Sequence, residues 1–119
     1  MTETIAIIGA GLIGRSWSVL FARAGFDVKV WDVEPGVLER FPQDLARLCD
    51  TLQAEGLLED REGTLARVRT CPTLEEAVSG VCFVQENGPE RIEVKEALFA
   101  RLDAGAPPEA GLASSTSAI

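Results

Sequence analysis

Gly9, Gly11 and Gly14 stand in the spacing G-x-G-x-x-G, as Gly9-Ala10-Gly11-Leu12-Ile13-Gly14. That spacing suits the holding of a dinucleotide pyrophosphate. The first glycine permits a tight turn, the second removes a side chain that would block the phosphates, and the third lets a helix pack close on a strand. An anion at such a turn faces a helix N-terminus, where unpaired N–H groups and the positive end of the dipole stabilise it even in an acidic protein. Asp32 lies eighteen residues past Gly14, where an acid can accept hydrogen bonds from the adenosine ribose hydroxyls. The same carboxylate repels a 2′-phosphate, and Val33-Glu34-Pro35 offers no arginine to receive one, so NAD is favoured over NADP. Each signal has a plain alternative: a glycine turn that binds nothing, or a strand-end acid that only forms a turn. Glycines and acid together make cofactor binding the better-supported reading.

Other chemistries find little to work with. The 119 residues contain no histidine, the commonest general acid/base and the commonest metal ligand. No paired-carboxylate or Ser-His-Asp arrangement can be read, and no metal site, so the expectation is a chain that binds a cofactor without completing a reaction, with no catalytic residue of its own. Cys49, Cys71 and Cys82 are odd in number and far apart, which predicts reduced, buried core residues. A net charge of −8 and a pI near 4.5 argue against a nucleic-acid partner. The start Met1-Thr2-Glu3-Thr4 lacks a basic, apolar leader, and no apolar run reaches membrane-spanning length, so a soluble, cytoplasmic protein with no membrane partner is expected.

The elements that must position these residues follow from punctuation and periodicity. Thr4–Ile8, β-branched and closed by Gly9, reads as a strand buried on both faces. Over residues 12–24, Ile13, Trp17, Leu20, Phe21 and Ala24 recur at helical spacing before Gly25. Residues 28–31 form a second strand, interrupted in polarity by Lys29, which completes a βαβ unit. Pro35 starts a helix carrying Leu38, Phe41, Leu45, Leu48 and Leu52 and ended by Gly56, with Pro42 able to kink it or shift its start. Residues 57–66 read as a connection with room for a helical turn, before a short strand near Val68–Thr70. Thr73 followed by Glu76 has the form of a capping box for a helix through Val78, ended by Gly80. A strand over residues 81–84, a helix opened by Gly88-Pro89 with Val94, Leu98, Phe99 and Leu102 on one side, and a last strand over 112–114 complete the alternation. The expected fold is α/β: one doubly wound, Rossmann-type parallel sheet over residues 1–119, with helices on both faces.

With the fingerprint, Asp32, the stretch Glu86-Asn87-Gly88-Pro89-Glu90 and the end Ser114-Ser115-Thr116-Ser117 in view, the whole chain resembles the NAD-binding domain of the 3-hydroxyacyl-CoA dehydrogenase family. Gly14-Arg15-Ser16-Trp17 and Val84-Gln85-Glu86-Asn87-Gly88-Pro89-Glu90 resemble in particular the branch that holds L-gulonate 3-dehydrogenase and lambda-crystallin. The resemblance implies NAD contacts at Leu12, Ile13, Asp32, Glu90 and Lys95. It also implies a substrate hydrogen bond at Ser117, beside Ser115 where many relatives carry asparagine. Glu90 could equally be a helix-dipole acid, Lys95 a solvated surface residue and the serines a polar loop. A helical substrate and dimerisation domain, a homodimer when full length, and a catalytic histidine with its orienting glutamate are implied beyond Ile119, which would leave this chain inactive alone. The implied reaction is oxidation of a 3-hydroxy group by hydride transfer to NAD. The small-molecule substrate would be a 3-hydroxyacyl-CoA of fatty acid metabolism or a small hydroxy acid such as L-gulonate. A stand-alone NAD-binding regulatory module and a structural protein are the alternatives.

Overall fold

The computed structural model describes residues 3–87 and the backbone of 111–114. Strand β1 (Thr4–Ile8) decides the layering, because Ile5 and Ile7 face one side of the sheet, Ala6 and Ile8 the other, and all four are buried. A fully buried side chain such as Ile7 contributes roughly 1.5–3 kcal/mol. Helix α1 (Leu12–Arg23) returns the chain to β2 (Asp27–Trp31), which pairs in parallel with β1 from Thr4↔Asp27 to Ile8↔Trp31. Helices α2 (Pro35–Ala54) and α3 (Arg61–Ala66) lead to the short strand β3 (Val68–Thr70) beside β2. The chain then crosses through α4 (Leu74–Val78) to β4 (Phe83–Glu86), which pairs with the other edge of β1, and β5 (Gly111–Ser114) lies outside β4. The order β3-β2-β1-β4-β5, all parallel, is the doubly wound arrangement the alternation predicts.

Two apolar layers enclose the sheet. On one face Ile5, Ile7, Val28 and Val30 meet Val19 and Ala22 of α1 and Phe41, Leu45 and Cys49 of α2. On the other, Ala6, Ile8, Trp31 and Val84 meet Leu74, Ala77 and Val78 of α4. Lys29 points to this second side, and its stem crosses the layer so that Nζ donates to the carbonyls of Glu76 (3.0 Å) and Ser79 (2.6 Å) at the end of α4. A lysine in a buried strand thus does what a cation does at a helix C-terminus.

Local chemistry sets the helix ends. Gly25 (φ +102°) closes α1 in a Schellman motif: its N–H donates to Ala22 and that of Phe26 donates to Phe21. The Phe21 and Phe26 rings then meet edge-on at 6.0 Å, the apolar contact that accompanies this motif. Thr73 Oγ1 accepts from Glu76 N–H at 3.1 Å, so the predicted cap of α4 is present.

Several expectations are revised. The strand expected over residues 81–84 lies two residues later, at Phe83–Glu86, because the register with β1 runs from Ile5↔Phe83 to Ile8↔Glu86 and buries the polar Gln85 and Glu86. Cys49 and Cys71 are buried as expected, but Cys82 is exposed, since it belongs to the turn before β4. The connection over 57–66 contains α3, capped by Asp60, whose Oδ1 accepts from Gly63 N–H at 2.9 Å. Pro42 neither displaces nor ends α2, which begins at Pro35 and runs through it. In α1 the buried residues are Gly14, Ser18, Val19 and Ala22, while Ile13 and Leu20 are exposed. Small residues let the helix approach the sheet, and the larger ones are left outside that contact. The helix expected after Gly88-Pro89 lies outside the described residues.

Candidate functional site

The sheet changes winding direction between β1 and β4, and in open α/β sheets the crevice outside the carboxyl ends of such strands is where ligands sit. Gly9 ends β1 at that point and Asn87 follows β4, whose N–H donates to Ile8 at 2.7 Å. Gly9 has φ +111°, and a Cβ there would lie 2.8 Å from the Asn87 carbonyl oxygen, so two strand ends touch where only glycine fits. A Cβ on Gly14 would overlap the carbonyl oxygen of Gly9; the bare α-carbon lets the first turn of α1 rest on the loop that feeds it. Gly11 differs from both. A Cβ there would meet nothing within 4 Å, and its φ of −78° suits any residue, so its lack of a side chain leaves open space over the turn rather than relieving a contact.

The N-terminus of α1 has no cap of its own. Gly11 at the N-cap offers no side chain to accept from the leading N–H groups, and the first turn carries no acid. Uncapped amides beside an open glycine are suited to an anion. Leu12 and Ile13, at the same end, are 65% and 54% exposed, apolar surface that a bound molecule could cover.

Asp32 follows the last residue of β2 and faces this turn. Its Oδ2 accepts from the Ala10 N–H at 2.7 Å and its Oδ1 from the Glu34 N–H at 2.7 Å, just before α2 begins. Each carboxylate oxygen keeps a further acceptor position, so ribose hydroxyls can still be received. Arg15, one turn into α1, pairs with Asp44 of α2 at 3.2 Å, and Arg47 approaches the same carboxylate at 3.9 Å. The structure therefore gathers Gly9, Gly11, Leu12, Ile13, Gly14 and Asp32 into one region, whereas Glu90, Lys95, Ser115 and Ser117 lie outside the described residues.

Two members of this region are not apparent from sequence spacing. Asn87 reaches Gly9 from the far side of β1 through sheet pairing, for which no local signal exists. The Ala10 amide is fastened by a side chain 22 residues away in sequence, at the end of the next strand. The run Asp32-Val33-Glu34-Pro35, an acid just ahead of a helix-starting proline, is the one local hint of the second bond that Asp32 makes.

Comparison with known proteins accords with this geometry. The model of the 3-hydroxyacyl-CoA dehydrogenase NAD binding domain matches residues 4–119. The chain belongs to the 3-hydroxyacyl-CoA dehydrogenase family. Within that family it is 39% identical over 119 residues to lambda-crystallin of Oryctolagus cuniculus, covering 97% of this chain and 37% of that protein. It is 40% identical over 113 residues to L-carnitine dehydrogenase of Streptomyces griseus, covering 95% of this chain and 33% of that one. The crystal structure of 3-hydroxybutyryl-CoA dehydrogenase from Escherichia coli K12 superposes with a TM-score of 0.87 at 31% identity, over 100% of this chain and 25% of that one. The chain thus spans about a third of the length of the curated relatives it matches, the part that is this family's NAD-binding domain. No helix among the described residues is long and apolar enough to cross a membrane.

Proposed function

We propose that this chain binds NAD across the glycine turn and Asp32, as the cofactor domain of a dehydrogenase that oxidises a 3-hydroxy group. The observation that carries the reading is the N-terminus of α1, without a cap of its own and with open space over Gly11, set at the β1/β4 switch point opposite the Asp32 carboxylate. The amides of the turn and of Leu12 and Ile13 hold the pyrophosphate, and Gly11 lets it approach. The Asp32 carboxylate receives the adenosine ribose hydroxyls and disfavours a 2′-phosphate. Leu12 and Ile13 lend apolar surface to the bound nucleotide. When bound, NAD supplies the acceptor for the substrate's hydride.

Glu90 and Lys95 are further cofactor contacts in this reading, and Ser117 a substrate contact, with Ser115 beside it. A helical domain beyond this stretch supplies the general base, the rest of the substrate site and a homodimer contact. The likeness to L-carnitine dehydrogenase supports a small hydroxy acid as substrate, and the 3-hydroxybutyryl-CoA dehydrogenase likeness supports an acyl-CoA thioester. Three free thiols accord with a reducing compartment such as the cytoplasm.

Calorimetric titration with NADH and with NADPH tests the reading. NADH is expected to bind at least about tenfold more tightly than NADPH, since a 2′-phosphate would face Asp32 and the following Val33-Glu34-Pro35 supplies no arginine to balance it. Equal affinity for the two, or binding of neither, would overturn it.

A further inference from the structure

We propose that Asp32 is a positioning residue for the phosphate-binding turn, and that it acts on the pyrophosphate subsite independently of any ribose. The inference rests on the NAD reading above and deepens it. The backbone ladder between β1 and β2 ends with the Gly9 N–H donating to Trp31 at 2.8 Å. Asp32 Oδ2 supplies the next rung through its side chain, taking the Ala10 N–H at 2.7 Å. Ala10 is fully buried, so this amide has no water to turn to, and without the carboxylate it is a buried donor left unmet.

The other oxygen is committed as well. Oδ1 takes the Glu34 N–H at 2.7 Å, which fixes the plane of the carboxylate by its link to the start of α2. The turn is therefore gripped from two sides: Gly9 is pressed against Asn87 beyond β1, and Ala10 is held by Asp32 from β2. Directly after these grips come Gly11 and the N-terminus of α1, the surface a pyrophosphate would meet. One carboxylate thus orders the phosphate turn from below while its remaining acceptor positions face the nucleoside.

A nucleotide without ribose hydroxyls separates the two roles. Affinities of ADP and of 2′,3′-dideoxy-ADP are measured for the wild-type protein, Asp32→Ala and Asp32→Asn, together with hydrogen exchange of the Ala10 amide in the absence of ligand. Expected is a loss of about tenfold in dideoxy-ADP affinity for Asp32→Ala, the equivalent of one buried donor left unsatisfied, with a smaller loss for Asp32→Asn, which keeps one acceptor oxygen. Faster exchange at Ala10 should accompany both. Should Asp32→Ala not fold, Asp32→Asn carries the same comparison. Unchanged dideoxy-ADP affinity beside a weakened ADP affinity overturns the proposal, because Asp32 would then act through the hydroxyls alone. If the wild-type protein binds neither nucleotide, the NAD reading fails instead. Ala10 exchange then decides whether Asp32 holds the turn: acceleration supports the fastening and no change overturns it.

Discussion

The carbonyl oxygen of Gly9 occupies the space in which a side chain on Gly14 would begin. A side chain on Gly14 would push the loop off the helix it feeds and one on Gly9 would push it off Asn87, whereas Gly11, between them in sequence, has nothing within reach.

The glycines should accordingly divide under substitution. Gly14→Ala forces a backbone shift and is expected to cost about 1–3 kcal/mol, as overpacking in a close-packed interior does. Gly11→Ala should leave stability within about 0.5 kcal/mol yet weaken NADH binding by at least about tenfold, through loss of charge-assisted hydrogen bonds to the phosphates. Urea denaturation and calorimetry on the two variants check this; a Gly11→Ala protein that binds NADH normally would place the phosphates elsewhere.

Lys29 makes a second prediction. The residue is 8% exposed and its ammonium meets two carbonyls at the end of α4. Replacing it with methionine keeps the stem and removes both bonds, at an expected cost of about 1.5–3 kcal/mol. Chemical denaturation with an unchanged m-value would show that α4 stays docked; an unaltered midpoint would mean that water serves those carbonyls equally well.

The thiols give a pH dependence. Burial pushes the Cys49 thiol up, with Arg61 opposing and Asp50 adding to the shift. Burial likewise pushes Cys71 up, opposed by Arg69 and Lys29 and aided by Glu76. Because the folded state favours the protonated thiols, their contribution is complete below the ordinary thiol value of about 8.5. It is lost as pH rises through the elevated folded values. Stability should therefore fall on the alkaline side more steeply in the wild-type protein than in a Cys49→Ala, Cys71→Ala double variant. Thermal melts between pH 7 and 10 compare the slopes.

Cys82 is the exposed thiol, and its pKa is also raised, by desolvation first and then by the charge of Glu3, whose carboxylate lies 3.7 Å from Sγ. Alkylation of the native protein at pH 8 should modify Cys82 ahead of the two buried cysteines. Glu3→Gln should speed that modification, and an unchanged rate would remove Glu3 from the account.

Much of this architecture was legible because its cues are local. Gly9, Gly25 and Gly80 mark the ends of elements by the backbone conformation they alone adopt easily, and Thr73 with Glu76 announces α4. The fingerprint and Asp32 were readable for the same reason: their spacing is set by one βαβ unit. What escaped depends on distant pairing. Gln85 and Glu86 look like residues beyond a strand, yet the neighbouring β1 draws them into the sheet. Ile13 and Leu20 fit a helical stripe, yet the close approach at Gly14 selects Ser18 and Ala22 for the buried face. The carbonyl partners of Lys29 and the contact of Asn87 with Gly9 join segments far apart in sequence, and no periodicity encodes them.

The order of the strands also bears on how the chain acquires its shape. β1 lies in the middle of the sheet, pairing through Ile5 with Val28 on one side and with Phe83 on the other. During synthesis it emerges before β2 and β4, so one flank stays open until β4 has left the ribosome, and parallel pairings across such separations form slowly. A strand buried on both faces in the folded protein is thus exposed along one edge until Phe83–Glu86 has been made. For that interval, aggregation of the incomplete chain competes with its folding.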